Sequence, residues 1–272
     1  MALSRGILVA ACLLCGQAQS DASGPDTSRF RLVFDKKFHG LDLRGPAKPD
    51  GRWDTRFSFG GRSLPTNGEL QLYVDRGYRG LGLNPFSLKD GKLTITARRA
   101  APEVKGKIGG YDFTSGLLTT EHSFAQTYGY FEIRARMPAG KGLWPAFWLL
   151  PQSRQWPPEI DVFEVLGDRP DVLHMAIHST DVHDVGFQAV VPDLSRDFHV
   201  FGVLWGPETI AWYFDGAEAA RAPTPRDMHK PMYLLINLAV GGTWPGNPDS
   251  TTRFPAAFTV AYVRAYATPD TR

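Results

Sequence analysis

Apolar and polar residues alternate with a period of two through most of the patterned stretches of this chain. In 92–98 the apolar positions are Leu93, Ile95 and Ala97, and in 131–137 they are Phe131, Ile133, Ala135 and Met137, with Glu132, Arg134 and Arg136 facing the other way. Further strands are predicted at 143–150, 160–166, 173–178, 199–205, 209–214, 232–238 and 258–266, with Gly, Pro, Asn or Asp recurring about every ten residues. Asp90-Gly91 and Asp215-Gly216 are hairpin-turn signals. No segment keeps a 3.6-residue apolar period for three turns, and the best short helical candidate is 225–229. The pattern predicts one antiparallel β-sandwich whose two sheets curve to leave one face open as a groove. Without an internal repeat or a break in composition, a single domain is expected over 30–268, after a polar linker at 21–29.

Composition adds what the pattern leaves open. The 272 residues are 43% hydrophobic and 21% charged, which excludes both a multi-pass membrane protein and a disordered chain. Thirty basic and 28 acidic side chains give a net charge of +2, too weak a field to imply nucleic acid as the partner. Both cysteines, Cys12 and Cys15, fall in an apolar run, 6–15, that follows the single positive charge of Arg5. That arrangement reads as a secretory signal peptide over 1–20, with small residues at Ala18 and Ser20 before the cleavage point. The run is too short to span a bilayer, which takes about 20 residues; Val9-Ala10-Ala11-Cys12 is also a weak lipoprotein box. The expected product is a secreted or periplasmic monomer without cysteine, stabilised by its core rather than by disulfides.

The main chemical signal is Trp156-Pro157-Pro158-Glu159-Ile160-Asp161-Val162-Phe163-Glu164. Glu159 and Asp161 share a strand face, but Glu164 is five residues from Glu159 and would point to the opposite face of a regular strand. A β-bulge at Val162 or Phe163 would bring all three carboxylates to one side. Paired carboxylates flanking a bond are what glycoside hydrolysis requires, one as nucleophile and one as proton donor. Taken alone the spacing fits a solvated strand face or a carboxylate calcium site equally well. Its surroundings favour a sugar site: Trp144 and Trp148 share one strand face nearby, Trp156 and Trp244 add aromatic surface, and six of the seven tryptophans fall between 144 and 244.

Three segments, Tyr128-Gly129-Tyr130-Phe131-Glu132-Ile133-Arg134-Ala135-Arg136, Gly142-Leu143-Trp144-Pro145-Ala146-Phe147-Trp148 and Glu159-Ile160-Asp161-Val162-Phe163-Glu164, together resemble the laminarinase and lichenase family of glycoside hydrolases, family 16, in its bulged branch. The resemblance runs from about Phe34 to Tyr266. It implies an all-β fold, a β-jelly-roll sandwich of two bent antiparallel sheets with a concave substrate cleft. It also implies that Glu159 is the nucleophile, Glu164 the acid/base and Asp161 the assisting carboxylate. Glu132 and Arg134 match cleft positions on the glycone side, Trp144 and Trp148 sugar-stacking positions, Asn237 and Trp244 positions near the reaction centre, and Asn67 a loop at the cleft end. His178 is a candidate cleft residue, while His174 is expected to be structural. Many members hold calcium through an Asp in the last strand; Ala261 stands at that place here, so no metal and no cofactor is expected. The implied activity is retaining endo-hydrolysis of β-1,3- or mixed β-1,3/1,4-glucan. A transglycosylase, a galactan hydrolase and a non-catalytic β-glucan-binding protein are the alternatives.

Overall fold

The computed structural model describes residues 8–12 and 24–269. Two sheets face each other across one core. In the first, the hydrogen-bonded order is Leu8–Cys12, Val185–Val190, Val172–His178, Glu159–Glu164, Leu143–Pro151, Met232–Val240 and Leu117–Thr119. In the second it is Ala217–Pro223, Thr209–Phe214, His199–Trp205, Gly129–Arg136, Ala256–Ala267, Lys92–Arg99, Phe113–Ser115 and Gln71–Tyr73. Pairing is antiparallel except at Leu8–Cys12 against Val185–Val190 and at Gln71–Tyr73 against Phe113–Ser115. The architecture is the expected jelly-roll sandwich.

The period-two pattern explains which side chains fill the space between the sheets. Leu143, Phe147, Leu149, Ile160, Leu173 and Ile177 point inward from the first sheet, and Phe131, Ile133, Phe201, Val203, Phe258 and Val263 from the second, all fully or almost fully buried. Each such side chain contributes about 1.5–3 kcal/mol against the cost of ordering the chain. Both predicted hairpin turns form: Asp90 and Gly91 have φ of 51° and 69°, Asp215 and Gly216 of 45° and 86°, the left-handed pair that this turn demands. The helical candidate at 225–229 is a single 3-10 turn, Arg226–Met228.

Met232–Val240 departs from alternation because every residue in it is buried. Its even-numbered residues enter the main core, while Tyr233 and Leu235 join Phe57, Tyr73, Leu117, Ala146 and Trp148 in a second apolar cluster on the other face of the first sheet. Phe57 and Tyr73, from the stretch before the central strands, cover this part of the face.

The export signal at 1–20 lies outside the described residues apart from Leu8–Cys12, whose backbone forms an edge strand. Within the linker expected at 21–29, Thr27–Arg29 forms a 3-10 turn capped by Asp26. Among the described residues no helix is long and apolar enough to cross a membrane.

Candidate active site

Glu159–Glu164 lies between Leu143–Pro151 and Val172–His178. Trp148 pairs with Asp161 and Phe147 with Phe163, so Val162 is the extra residue of a bulge, and both Val162 and Phe163 enter the core. The bulge restores the parity that a regular strand would break, and Glu159, Asp161 and Glu164 project from the same, outer face. It is fixed from behind by Trp212 of the second sheet, whose fully buried indole N–H donates to the Asp161 carbonyl at 2.8 Å.

Each glutamate accepts from an indole. Trp144 Nε1 donates to Glu164 Oε1 at 2.9 Å, and Trp156 Nε1 to Glu159 Oε2 at 2.6 Å. His178 is the cation of the site. Its Nε2 is 3.3 Å from Asp161 Oδ2, which has no other polar partner, and its Nδ1 is 3.3 Å from Asp184 Oδ1. Burial opposes a charged ring, but Asp161, Glu159 and Asp184 overcome it and raise His178 to about 10. Burial, then the charge of Asp161, pushes Glu159 well above the ordinary carboxylate range and Glu164 to about 8, with His178 pulling both back. Four carboxylates around one cation, Glu159, Asp161, Glu164 and Asp184, cannot all ionise cheaply, so the two glutamates share a proton at neutral pH.

Asn237 and Trp148 belong to the floor. Trp148 Nε1 donates to Asn237 Oδ1 at 2.7 Å, Asn237 Nδ2 donates to the Tyr73 hydroxyl at 3.0 Å, and the Trp148 ring lies 6.1 Å from that of Phe57. With 8% of its surface exposed, Trp148 is a locked floor rather than an open stacking platform. The open faces are Trp156, 64% exposed beside Glu159, and Trp244, 43% exposed and 5.3 Å from Trp144. Asn67 sits at the Trp244 end, where its carbonyl accepts from Thr243 N at 2.8 Å. His174, expected to be structural, faces the same side as Glu164 and packs at 4.9 Å against Trp244; burial and Arg169 push it down to about 4.

Glu132 and Arg134 do not join this site. Their alternation was legible, but Gly129–Arg136 belongs to the second sheet, so its polar positions point out of the opposite side of the sandwich. There Glu132 meets Arg264 Nη1 at 3.5 Å and accepts from the Tyr266 hydroxyl at 3.3 Å, while Arg134 lies over the Phe198 ring. Sequence reasoning missed Tyr73, Tyr233, Asp184 and Trp212, although Tyr73 lies six residues after Asn67, Tyr233 four before Asn237 and Asp184 six after His178. Among the described residues, the one cluster whose donor atoms converge as metal ligands would is Glu159, Asp161 and His178, within 4.8 Å of one another. Both ring nitrogens of His178 face carboxylates at 3.3 Å, Asp161 and Asp184, so an ion pair accounts for the cluster. Ala261 offers no side-chain oxygen to a cation on the second sheet.

Comparison with known proteins gives a consistent picture. The family model described as Glycosyl hydrolases family 16 matches residues 74–264. An endo-1,3-1,4-beta-glycanase, ExsH, of Rhizobium meliloti is 45% identical over 249 residues, 89% of this chain and 53% of that protein, so the chain spans about half the length of this relative. A beta-glucanase of Rhodothermus marinus is 34% identical over 279 residues, 94% of this chain and 90% of that one. Among solved structures, the endo-beta-1,3-glucanase of Pyrococcus furiosus superposes with a TM-score of 0.74 at 34% identity, covering 88% of this chain and 94% of that one.

Proposed function

The chain belongs to glycosyl hydrolase family 16, and on that premise we propose that it is an exported endo-acting hydrolase of β-1,3- or mixed β-1,3/1,4-glucan that works with retention of configuration. The observation that carries the proposal is the bulge at Val162, which gathers Glu159, Asp161 and Glu164 on one face. Glu164, raised to about 8, holds its proton at neutral pH and donates it to the departing glycosidic oxygen. Glu159 attacks the anomeric carbon as the carboxylate, the form that the His178 cation and the Trp156 N–H favour against the opposing effect of burial and Asp161. A glycosyl-enzyme ester results. The deprotonated Glu164 then takes a proton from a water that attacks the same carbon, which frees Glu159 and restores Glu164.

Glucan substrates are supported by the names of the relatives and by the exposed Trp156 and Trp244, whose flat faces flank the two glutamates. Export is supported by the apolar run at 6–15 behind Arg5. The decisive experiment is incubation with laminarin, barley β-glucan, lichenan and agarose, followed by linkage analysis, together with azide rescue of Glu164→Ala. Release of β-linked gluco-oligosaccharides and a β-glycosyl azide is expected. An α-glycosyl azide, or cleavage of agarose alone, overturns the proposal.

A further inference from the structure

Beyond the reaction centre, a depression of about 340 Å³ lies between segment 54–60 and Glu121, His122 and Arg154. It connects to the catalytic strand through Tyr233. That phenol stands next to Ser58 in the wall of the depression, feels the charges of Glu121, Arg154 and Glu159, and is pushed up to about 12, chiefly by burial. Glu159–Glu164 and Met232–Val240 flank Leu143–Pro151, so Tyr233 is two strand spacings, about 10 Å, across the sheet from the catalytic strand. The depression is therefore farther from the scissile bond than the sugars the two glutamates contact.

Its walls are built for a sugar. Phe59 has 67% of its surface in solvent, and one ring face is stacked on Phe57 at 5.2 Å and 7°. Phe57 in turn meets Trp148 at 6.1 Å, which gives a continuous aromatic ladder from the cleft floor to an exposed ring. The exposed ring, backed by a second one, is a flat apolar platform that a ligand can cover. Around it, Arg154 adopts a left-handed backbone with φ of 62° and is held there by its Nε donating to the buried Glu121 carboxylate at 2.7 Å. A strained residue kept in place by a buried partner is characteristic of functional positions. Asp54 is matched by His122 at 2.7 Å, whereas the Arg56 side chain makes no hydrogen bond or ion pair among the described residues and lines the same space. An aromatic face ringed by fixed and free polar groups suits the C–H face and hydroxyls of a pyranose. Phe59 and Arg56 also precede residue 74, outside the stretch that the family model matches.

We propose that this depression is an outlying subsite of the cleft, in which Phe59 stacks on a glucosyl unit of the bound chain and Arg56 donates to its hydroxyls. The inference rests on the glucanase reading above. The subsite is out of reach of short substrates and adds affinity only for longer chains.

The test measures kinetics on barley β-glucan and on a β-1,3-linked glucose trisaccharide, and retardation of the same proteins in native gels containing the polymer. Phe59→Ala is expected to raise KM on the polymer about three- to tenfold, the loss of one aromatic contact, with kcat unchanged and the trisaccharide unaffected. Phe59→Trp should keep the wild-type KM, and Arg56→Gln should show a smaller change of the same kind. Equal KM changes on both substrates, or none on the polymer, overturn the subsite. If the wild-type protein cleaves neither substrate, the glucanase reading fails on its own; gel retardation that Phe59→Ala leaves intact would then overturn the subsite separately.

Discussion

The two outer faces of the sandwich are made from the same ingredients and do different things. The face of the second sheet carries Glu132, Arg264, Tyr266 and Tyr130, and the face of the first carries Glu159, Asp161, Glu164, His178 and four tryptophans. On the second sheet Glu132 and Asp35 both reach the Arg264 guanidinium, at 3.5 and 3.2 Å, and burial raises Glu132 while Arg264 pulls it back. Arg134 and Arg136 project from the same strand face as Glu132, so cations there match the carboxylates. On the first sheet four carboxylates, Asp184 among them, face one histidine, and the excess negative charge in an apolar setting leaves a proton on the glutamates. What separates a structural ion pair from a reaction centre is thus the count of charges per face, which one inserted residue, Val162, decides.

The sharpest break of this comparison replaces a carboxylate on each face. Glu159→Gln should lower kcat about 10⁴-fold or more, the scale of losing a nucleophile, while substrate still retards the protein in a polymer gel. Glu132→Gln should keep turnover within about twofold, as surface changes generally do. Comparable losses in both variants would erase the distinction between the faces.

A smaller effect is expected from Trp212→Phe, which keeps the core ring and removes the N–H that holds the Asp161 carbonyl. The orphaned carbonyl should cost about 1–3 kcal/mol of stability, read as a fall in Tm. It should also lower kcat more than it changes KM, because the bulge that aligns Glu159 with Glu164 loosens. A lower Tm with unchanged kcat would make Trp212 a core residue only.

His178→Asn tests the charge count itself. His178 is charged across the working range, with a pKa near 10, and its charge lowers both glutamates. Without it both carboxyls rise further. The acid limb, where Glu159 must lose its proton, and the alkaline limb, where Glu164 must keep its own near pH 8, should each move up by about 1 unit. A profile that keeps its limbs while kcat falls would show that His178 acts only by position.

The unequal legibility of the chain follows from the same comparison. Alternation located the strands that have one buried and one polar face, such as 131–137, and the Glu159–Glu164 spacing was enough to predict the bulge, because parity on a strand is a local property. Alternation does not say which sheet a strand joins. The resemblance, not the alternation, places Glu132 and Arg134 in the cleft, and their strand pairs instead with Ala256–Ala267 and His199–Trp205 in the far sheet. Tryptophan clustering misled in a related way: Trp205 and Trp212 fall in the same sequence stretch as the site tryptophans but are fully buried in the core. Tyr73 reaches the site by a long-range contact to Asn237 that no local pattern encodes, whereas Asp184 lies only six residues from His178 and is set against it by the turn after that strand.

The smallest predicted effect is the most direct check of that correction. Arg134 and Arg136 each lie 5.3 Å from the centre of the Phe198 ring, so removing one leaves the other in place, and the exposed contact is worth only about 0.5–1 kcal/mol. Arg134→Ala should leave KM on polymeric and short glucans unchanged and shift Tm by no more than a few degrees. A cleft residue that hydrogen-bonds a sugar would instead raise KM about tenfold, from the loss of roughly 1.5 kcal/mol. Such a rise would mean that glucan also lies on the outer face of the second sheet, and the two faces would no longer differ in the way the charge count requires.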